Sequence, residues 1–286
     1  MKANTIKRQI QEHSKSYIDP GGKRHPTISL MDVRLIAAEN CILPREVEIS
    51  CLKHGVIPRR YLRNLGTIDI EGQLKLLRST AAVAGAGGLG GTIIELLARC
   101  GIGHLIIIDN GRFVENNLNR QVLATEEYLG KYKVKLAATR VKAINSAVTV
   151  TTYNRAITAQ NVARMIKGAD VVLDGLDNLP TRLAVADACT KLGIPFVHGA
   201  IAGFSGQVMT IMPGDKGLNA LYGTASESNT YGIEAVTGNP PATPAIIAAW
   251  EVQEAVKLIT GIGKNIRNRL LLLDFAESTF EELPLE

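Results

Sequence analysis

A glycine-rich turn held between two stretches of regular structure constrains this chain more than any other feature. Ala82-Val83-Ala84-Gly85-Ala86-Gly87-Gly88-Leu89-Gly90-Gly91 follows an apolar run that begins at Thr80 and opens a helix extending to about Cys100. Glycines at 85, 87 and 90 keep the GxGxxG spacing. In such a turn backbone N–H groups approach a phosphate at a helix N-terminus, where the helix dipole favours negative charge. A second apolar run, Leu105 to Ile108, ends in Asp109, 24 positions after the first glycine. That is close to the spacing at which an acid accepts hydrogen bonds from ribose hydroxyls. The order of strand, turn, helix, strand and acid predicts a nucleotide-binding unit. Read alone, it is the fingerprint of a nicotinamide dinucleotide site.

The residues beyond Asp109 argue against a dehydrogenase. Asn117, Arg120 and Lys133 lie in one short stretch, and Leu173-Asp174-Gly175-Leu176-Asp177-Asn178 closes a later apolar run. Ligands of open parallel sheets bind outside the carboxyl ends of the strands, so all these groups are expected in one crevice. Two cations and a strand-end carboxylate match a triphosphate with Mg2+: the cations neutralise phosphate charge and the carboxylate holds the hard metal ion. A dinucleotide needs none of that added charge.

These residues identify a resemblance to the ThiF/MoeB/HesA family, bacterial relatives of ubiquitin-activating enzymes, over about 60–283. The match takes in Arg60-Tyr61-Leu62-Arg63-Asn64, Glu71-Gly72-Gln73, the glycine turn, NLxRQ at 117–121, Lys133 in a GxxKV segment and the strand end at 173–178. The resemblance implies ATP- and Mg2+-dependent adenylation of the C-terminal carboxylate of a small ubiquitin-like protein, here a sulfur carrier of the ThiS/MoaD type ending in Gly-Gly. It implies that Gly85, Gly87, Gly88 and Gly90 cradle the nucleotide, Asp109 holds the ribose, and Asn117, Arg120 and Lys133 hold phosphates. It also implies that Asp177 binds or organises Mg2+ and that Arg63 reaches the ATP site of the partner in a homodimer; Asn178, from its own position, is expected to cap the next helix, with contact to the nucleotide as the alternative. Arg60, by contrast, is expected to pair with acids of its own subunit. Such chemistry rests on positioning and charge neutralisation, with no side-chain base required.

Departures from the family pattern are equally informative. The second acid of the usual DxD is replaced in Asp109-Asn110-Gly111. The two CxxC pairs that hold zinc in many members are absent, so no zinc is expected, and Leu218 and Leu221 are candidates to replace it by apolar packing. Cys41, Cys51, Cys100 and Cys189 all fall in helical or helix-terminal segments and read as small buried residues. No cysteine lies in 213–241, where relatives that form a covalent intermediate carry theirs, so an acyl-adenylate without an enzyme thioester is expected.

The chain divides into a polar, helical N-terminal extension, 1–58, and an adenylation domain, 59–286. In the extension, Asp19-Pro20-Gly21-Gly22 is a turn, Ser29 to Asp32 a capping box, and 44–54 a helix. Beyond it strands near 80–84, 105–109, 148–153, 170–174, 195–198 and 207–212 alternate with helices near 69–78, 89–100, 131–146, 158–168 and 178–192. That pattern predicts an α/β fold, a doubly wound, Rossmann-like, mostly parallel sheet with helices on both faces. A helix at 243–260 and an antiparallel hairpin, 269–275 with 279–283, are expected to continue the sheet. Residues 214–238, rich in Gly, Ser, Thr and Asn, read as a mobile loop that orders when a carrier tail enters.

With 286 residues, 46% of them hydrophobic, the chain can bury a large core. No apolar run approaches the roughly 20 residues of a membrane span, the polar start is no signal peptide, and few unpaired cysteines suit the cytoplasm. A net charge of +5 is mild, and neither nucleic acid nor membrane is expected as a partner. Two other readings stay open on the sequence: adenylation of a different peptide C-terminus, and a nucleotide-binding scaffold impaired by the loss of the acid at Gly111. His198 reads as a satisfied core histidine, and Asp174 either supports Asp177 or closes its strand.

Overall fold

The computed structural model describes residues 2–223 and 234–285. In chain order the elements are α1 (Lys2–His13), β1 (Lys15–Ile18), β2 (Arg24–Ile28), α2 (Leu30–Asn40), α3 (Pro44–Lys53), β3 (Ile57–Pro58), α4 (Leu65–Arg78), β4 (Thr80–Ala84), α5 (Gly88–Cys100), β5 (His104–Ile108) and α6 (Lys133–Ile144). They continue with β6 (Thr149–Tyr153), α7 (Val162–Ile166), β7 (Val171–Asp174), α8 (Leu179–Leu192), β8 (Phe196–Ala202), β9 (Ser205–Ile211), α9 (Asn219–Tyr222), α10 (Glu234–Thr237), α11 (Ala242–Thr260), β10 (Arg269–Asp274) and β11 (Thr279–Pro284).

An 8-stranded sheet in the order β11-β10-β9-β8-β7-β4-β5-β6 forms the centre. Strands β4 to β8 are parallel where they pair, and β9, β10 and β11 add antiparallel neighbours at one edge. The doubly wound expectation therefore holds, hairpin included. Parallel strands buried on both faces need unbroken apolar runs, which is why Val171-Val172-Leu173 and Leu105 to Ile108 lack alternation. On the helices the buried apolar residues recur three and four positions apart, as one inward face requires. Ile93, Ile94 and Leu97 of α5 join Ile247, Val252 and Ala255 of α11 in one core layer. Val162, Val185, Cys189 and Phe196 build the layer on the opposite face.

The extension contains more than helices. Strands β1, β2 and β3 form a separate 3-stranded sheet, with Ile18 paired to Arg24 around the Asp19–Gly22 turn. The turn is legible in the sequence, but strands as short and charged as Lys15–Ile18 and Arg24–Ile28 have no apolar periodicity to announce them. Ile10, Ile28, Val33, Ile36, Val47 and Cys51 pack beneath this sheet as a core of their own. A polar knot joins it to the large sheet: Tyr61 donates to Glu48 at 2.9 Å and accepts from Asn145 at 3.0 Å, while Arg60 pairs with Glu48 at 3.3 Å and donates to Asn145. Arg60 is thus held by an acid of its own subunit, as expected. Burial pushes the Glu48 carboxyl from 4.5 up to about 7 against the opposing effects of Arg60 and Tyr61.

Helix α4 begins four residues earlier than expected because two helices meet at Asp69, whose φ is 60°. Its carboxylate accepts from Gly72 N at 2.8 Å and so caps the second of them. Of the expected loop at 214–238, residues 224–233 lie outside the described residues. Among the described residues no helix is long and apolar enough to cross a membrane.

Candidate active site

Ala84, Ile108 and Asp174 end three adjacent strands in register, and a cleft of about 410 Å3 opens beyond them. Chain connections leave β4 in one direction toward β5 and β6 and return to β7 on its other side, which places the cleft at a topological switch point. The volume lies within the roughly 300–1,000 Å3 of small-molecule sites.

The glycine turn lines it. Gly85 has φ +95°, and a Cβ there would sit 2.3 Å from Gly175 O. A Cβ on Gly90 would sit 2.0 Å from Gly85 O, so glycine 90 is needed for the turn to close although it does not itself line the cleft. Gly87 and Gly88 do line it, and α5 starts there with no side chain capping its first N–H groups. Those donors are left for an anion.

Asp109 bridges the turn and the loop after β5. Its two oxygens accept from Ala86 N at 2.8 Å and Gly111 N at 2.6 Å. Each oxygen keeps a lone pair for a hydroxyl donor. Lys133, the first residue of α6, runs past Gly111, where a Cβ would lie 3.4 Å from the lysine Cε. Its ammonium lies 5.9 Å from the centre of the Phe113 ring and makes no hydrogen bond or ion pair with a described residue. Arg120 is half-buried over Gly88 and donates to Asn116 O and Asn119 Oδ1, both at 2.8 Å. Asp177 stands exposed at the opposite wall, accepting from Asn178 Nδ2 at 3.1 Å. Asn178 caps α8 by accepting from Thr181 N at 3.0 Å, and it lines the cleft as well.

Two expected residues are elsewhere. Asn117 is buried outside the cleft lining; its oxygen accepts from Val114 N at 3.2 Å and its amide donates to Asn116 at 2.9 Å. In this position the asparagine shapes the loop that presents Arg120. Arg63 is exposed and lines a different cavity, of about 500 Å3, with Tyr17, His25 and Asp69. It does not reach the cleft of its own chain.

Below the cleft lies a buried polar cluster. Asp174 accepts from Arg182 Nε at 2.6 Å, His198 Nδ1 at 2.7 Å and Leu176 N at 3.0 Å, and Arg182 donates to Leu176 O at 2.8 Å. Burial by itself raises a carboxyl, yet Arg182 and His198 hold Asp174 below the usual range. His198 is fully buried, which keeps its pKa low, and its other nitrogen lies 2.9 Å from Gln207 Nε2. Gln207 in turn donates to Tyr222 at 2.7 Å. Glu251, also fully buried, is pushed well up by burial and by the neighbouring Asp174 charge. His198 is the satisfied core residue its lone position suggested, and Asp174 supports the turn that carries Asp177.

Sequence reading passes over Gln121, Arg155, Arg182 and Asn239, all of which line the cleft. Arg155 carries a findable signal, since it stands just beyond the carboxyl end of β6. Gln121 closes the NLxRQ stretch. Asn239 comes from a distant loop and has no local signal.

Cysteine placement is mixed. Cys51 and Cys189 are buried with thiols raised to about 12 by burial, and burial raises Cys100 too. Cys41 is exposed at the end of α2, contrary to the buried reading, because a left-handed residue with φ 50° ends that helix and turns outward. No cysteine lines the cleft. Leu218 is buried and Leu221 packs on the same core layer, as their position suggested, and Arg267 Nη2 pairs with Asp215 at 2.7 Å beside them. Among the described residues no group of three or more His, Cys, Asp or Glu is arranged to hold a metal ion.

Comparison with known proteins gives a consistent picture. A profile of the ThiF family matches residues 61–286. The SAMP-activating enzyme E1 of Haloferax volcanii is 37% identical over 79% of this chain and 84% of its own length. The sulfur carrier protein adenylyltransferase of Thermus thermophilus is 35% identical over 78% of this chain and 86% of its own. Among solved structures, E. coli MccB with ATP superposes with a TM-score of 0.69 over 79% of this chain and 71% of that one, at 22% identity, which speaks for a shared fold.

Proposed function

The chain belongs to the ThiF family, and from that premise we propose that it adenylates the C-terminal Gly-Gly carboxylate of a small ubiquitin-like sulfur-carrier protein. It uses ATP and Mg2+, works as a homodimer in the cytoplasm, and forms no enzyme thioester. The supporting observation is the convergence of Asp109, Arg120, Lys133 and Asp177 around one open glycine turn, drawn from four separate segments.

The donor set suits the nucleotide. Gly87 and Gly88 offer N–H groups to phosphate, Asp109 accepts from ribose, and Arg120 and Lys133 offset the negative charge that otherwise repels an incoming carboxylate. Mg2+, where bound, adds further charge neutralisation on the phosphate oxygens. Asp177 fits that ion, being exposed with one oxygen free of any hydrogen bond. The reaction joins a carrier carboxylate oxygen to the α-phosphorus and breaks that phosphorus bond to pyrophosphate. No proton moves in that step, in keeping with a cleft whose histidine is buried below it and satisfied. Because the described cysteines lie off the cleft, the acyl-adenylate is left for a sulfur donor. In this reading Arg63, which lines a different cavity of its own chain, serves the partner's site.

Pyrophosphate exchange into ATP tests the reading. Purified protein, Mg2+ and small proteins ending in Gly-Gly should support exchange with at least one carrier; ATP binding without exchange for any of them would favour the scaffold reading.

A further inference from the structure

Building on the adenylation of a Gly-Gly tail, we propose that Asn239, together with Gln121 of the same cleft, is the seat for the main chain of that tail and reads peptide groups rather than side chains. Two side-chain oxygens in the cleft, Gln121 Oε1 and Asn239 Oδ1, are cut off from solvent with no hydrogen-bond partner among the described residues. Gln121 is only 6% exposed. An acceptor in that state is costly, and its position indicates a donor that is still to arrive.

The missing donor is not a phosphate, since an acceptor oxygen repels one, and the ribose hydroxyls have Asp109. A peptide N–H fits. A carboxamide also presents an N–H to a peptide carbonyl, so one such side chain complements both halves of a peptide group. Neighbouring cleft residues Ala200 and Ile201 on β8 have no polar side-chain group, which suits a tail of bare glycines. The seat is fixed from both sides. Asn119 Nδ2 donates to Asn239 O at 3.1 Å, tying it to the loop that carries Gln121, and Gly203 N donates to Gly238 O at 2.9 Å. Neither bond uses the Asn239 side chain, so its removal leaves the backbone anchored.

The test pairs variant and substrate. Asn239→Ala and Gln121→Ala should each raise the carrier concentration for half-maximal exchange about tenfold, with the ATP dissociation constant unchanged in Asn239→Ala. A semisynthetic carrier whose penultimate glycine is sarcosine, lacking the N–H, should lose about tenfold on the unmodified enzyme and nothing further on Asn239→Ala. Losses that multiply, or weakened ATP binding in Asn239→Ala, would overturn the assignment. If a variant fails to fold, the sarcosine carrier decides alone, and undiminished exchange with it refutes the seat. Exchange by the unmodified enzyme with unchanged variants refutes this inference only; no exchange with any carrier refutes the adenylation reading and the inference together.

Discussion

Asp174 and Asp177 share one strand end and meet opposite fates. The first is fully buried and accepts from Arg182, His198 and the Leu176 amide; the second is exposed in the cleft and touches only Asn178. Residue type does not separate them, since both are aspartates in the same LDGLDN run. The difference shows how the protein divides its work. A paired buried carboxylate holds a turn rigid, and a solvated carboxylate beside it stays available to a ligand. Within one short turn one aspartate is committed to structure and the other is left open to the cleft.

Substitutions sharpen that division, and the largest effect is expected at the exposed residue. Asp177→Ala, and likewise Arg120→Ala, should cut carrier-dependent exchange by at least about a hundredfold while unfolding free energy moves by no more than about 0.5 kcal/mol. Near-normal exchange in either variant would remove the site from this cleft. Arg63→Ala should fail almost as completely, yet mixing it with Asp177→Ala should restore about a quarter of full activity through hybrid dimers that hold one intact site. Lack of recovery in a mixture shown to exchange subunits would rule out action on the partner.

Asp174→Ala reverses the pattern. It leaves Arg182 buried without its partner and should cost roughly 3–5 kcal/mol in chemical denaturation, with activity falling only as the fold does. A stable Asp174→Ala protein would break the contrast. A smaller effect is expected at Glu48, whose carboxyl rises from 4.5 to about 7 in the folded state. The folded state therefore binds more protons than the unfolded one between those values. Its stabilising contribution is complete below pH 4.5, falls as pH rises, and is gone above about 7, a change on the order of 3 kcal/mol at most. Glu48→Gln should flatten the stability profile over that window, and an unaltered slope would assign it to another group. The smallest effect belongs to the thiols: replacing all four cysteines by Ser or Ala should leave adenylation intact in any variant that folds, while selective loss at one would uncover a covalent step.

Much of the central sheet is legible because parallel strands buried on both faces require apolar runs, and the runs at 80–84, 105–108 and 171–173 have no other reading. The extension is less so. Its hairpin strands are charged and short, and only their pairing with each other and with β3 makes them a sheet. At the site, the cleft positions of Asp109, Lys133 and Asp177 follow from their place after strands or at a helix start, whereas the place of Asn117 off the cleft lining does not, because the motif NLxRQ does not say which of its side chains faces inward. Its hydrogen bond to Val114 turns it into the loop.

By itself the sequence determined the doubly wound sheet, the glycine turn and the identity of the charges that gather beyond the strand ends, since each depends on local spacing along the chain. Only the tertiary structure decided which aspartate is buried and which is free, and that Asn239 and Gln121 line one cleft. Burial and the supply of hydrogen-bond partners come from segments far apart in sequence, and these set the state of a polar group more strongly than its neighbours in the chain do.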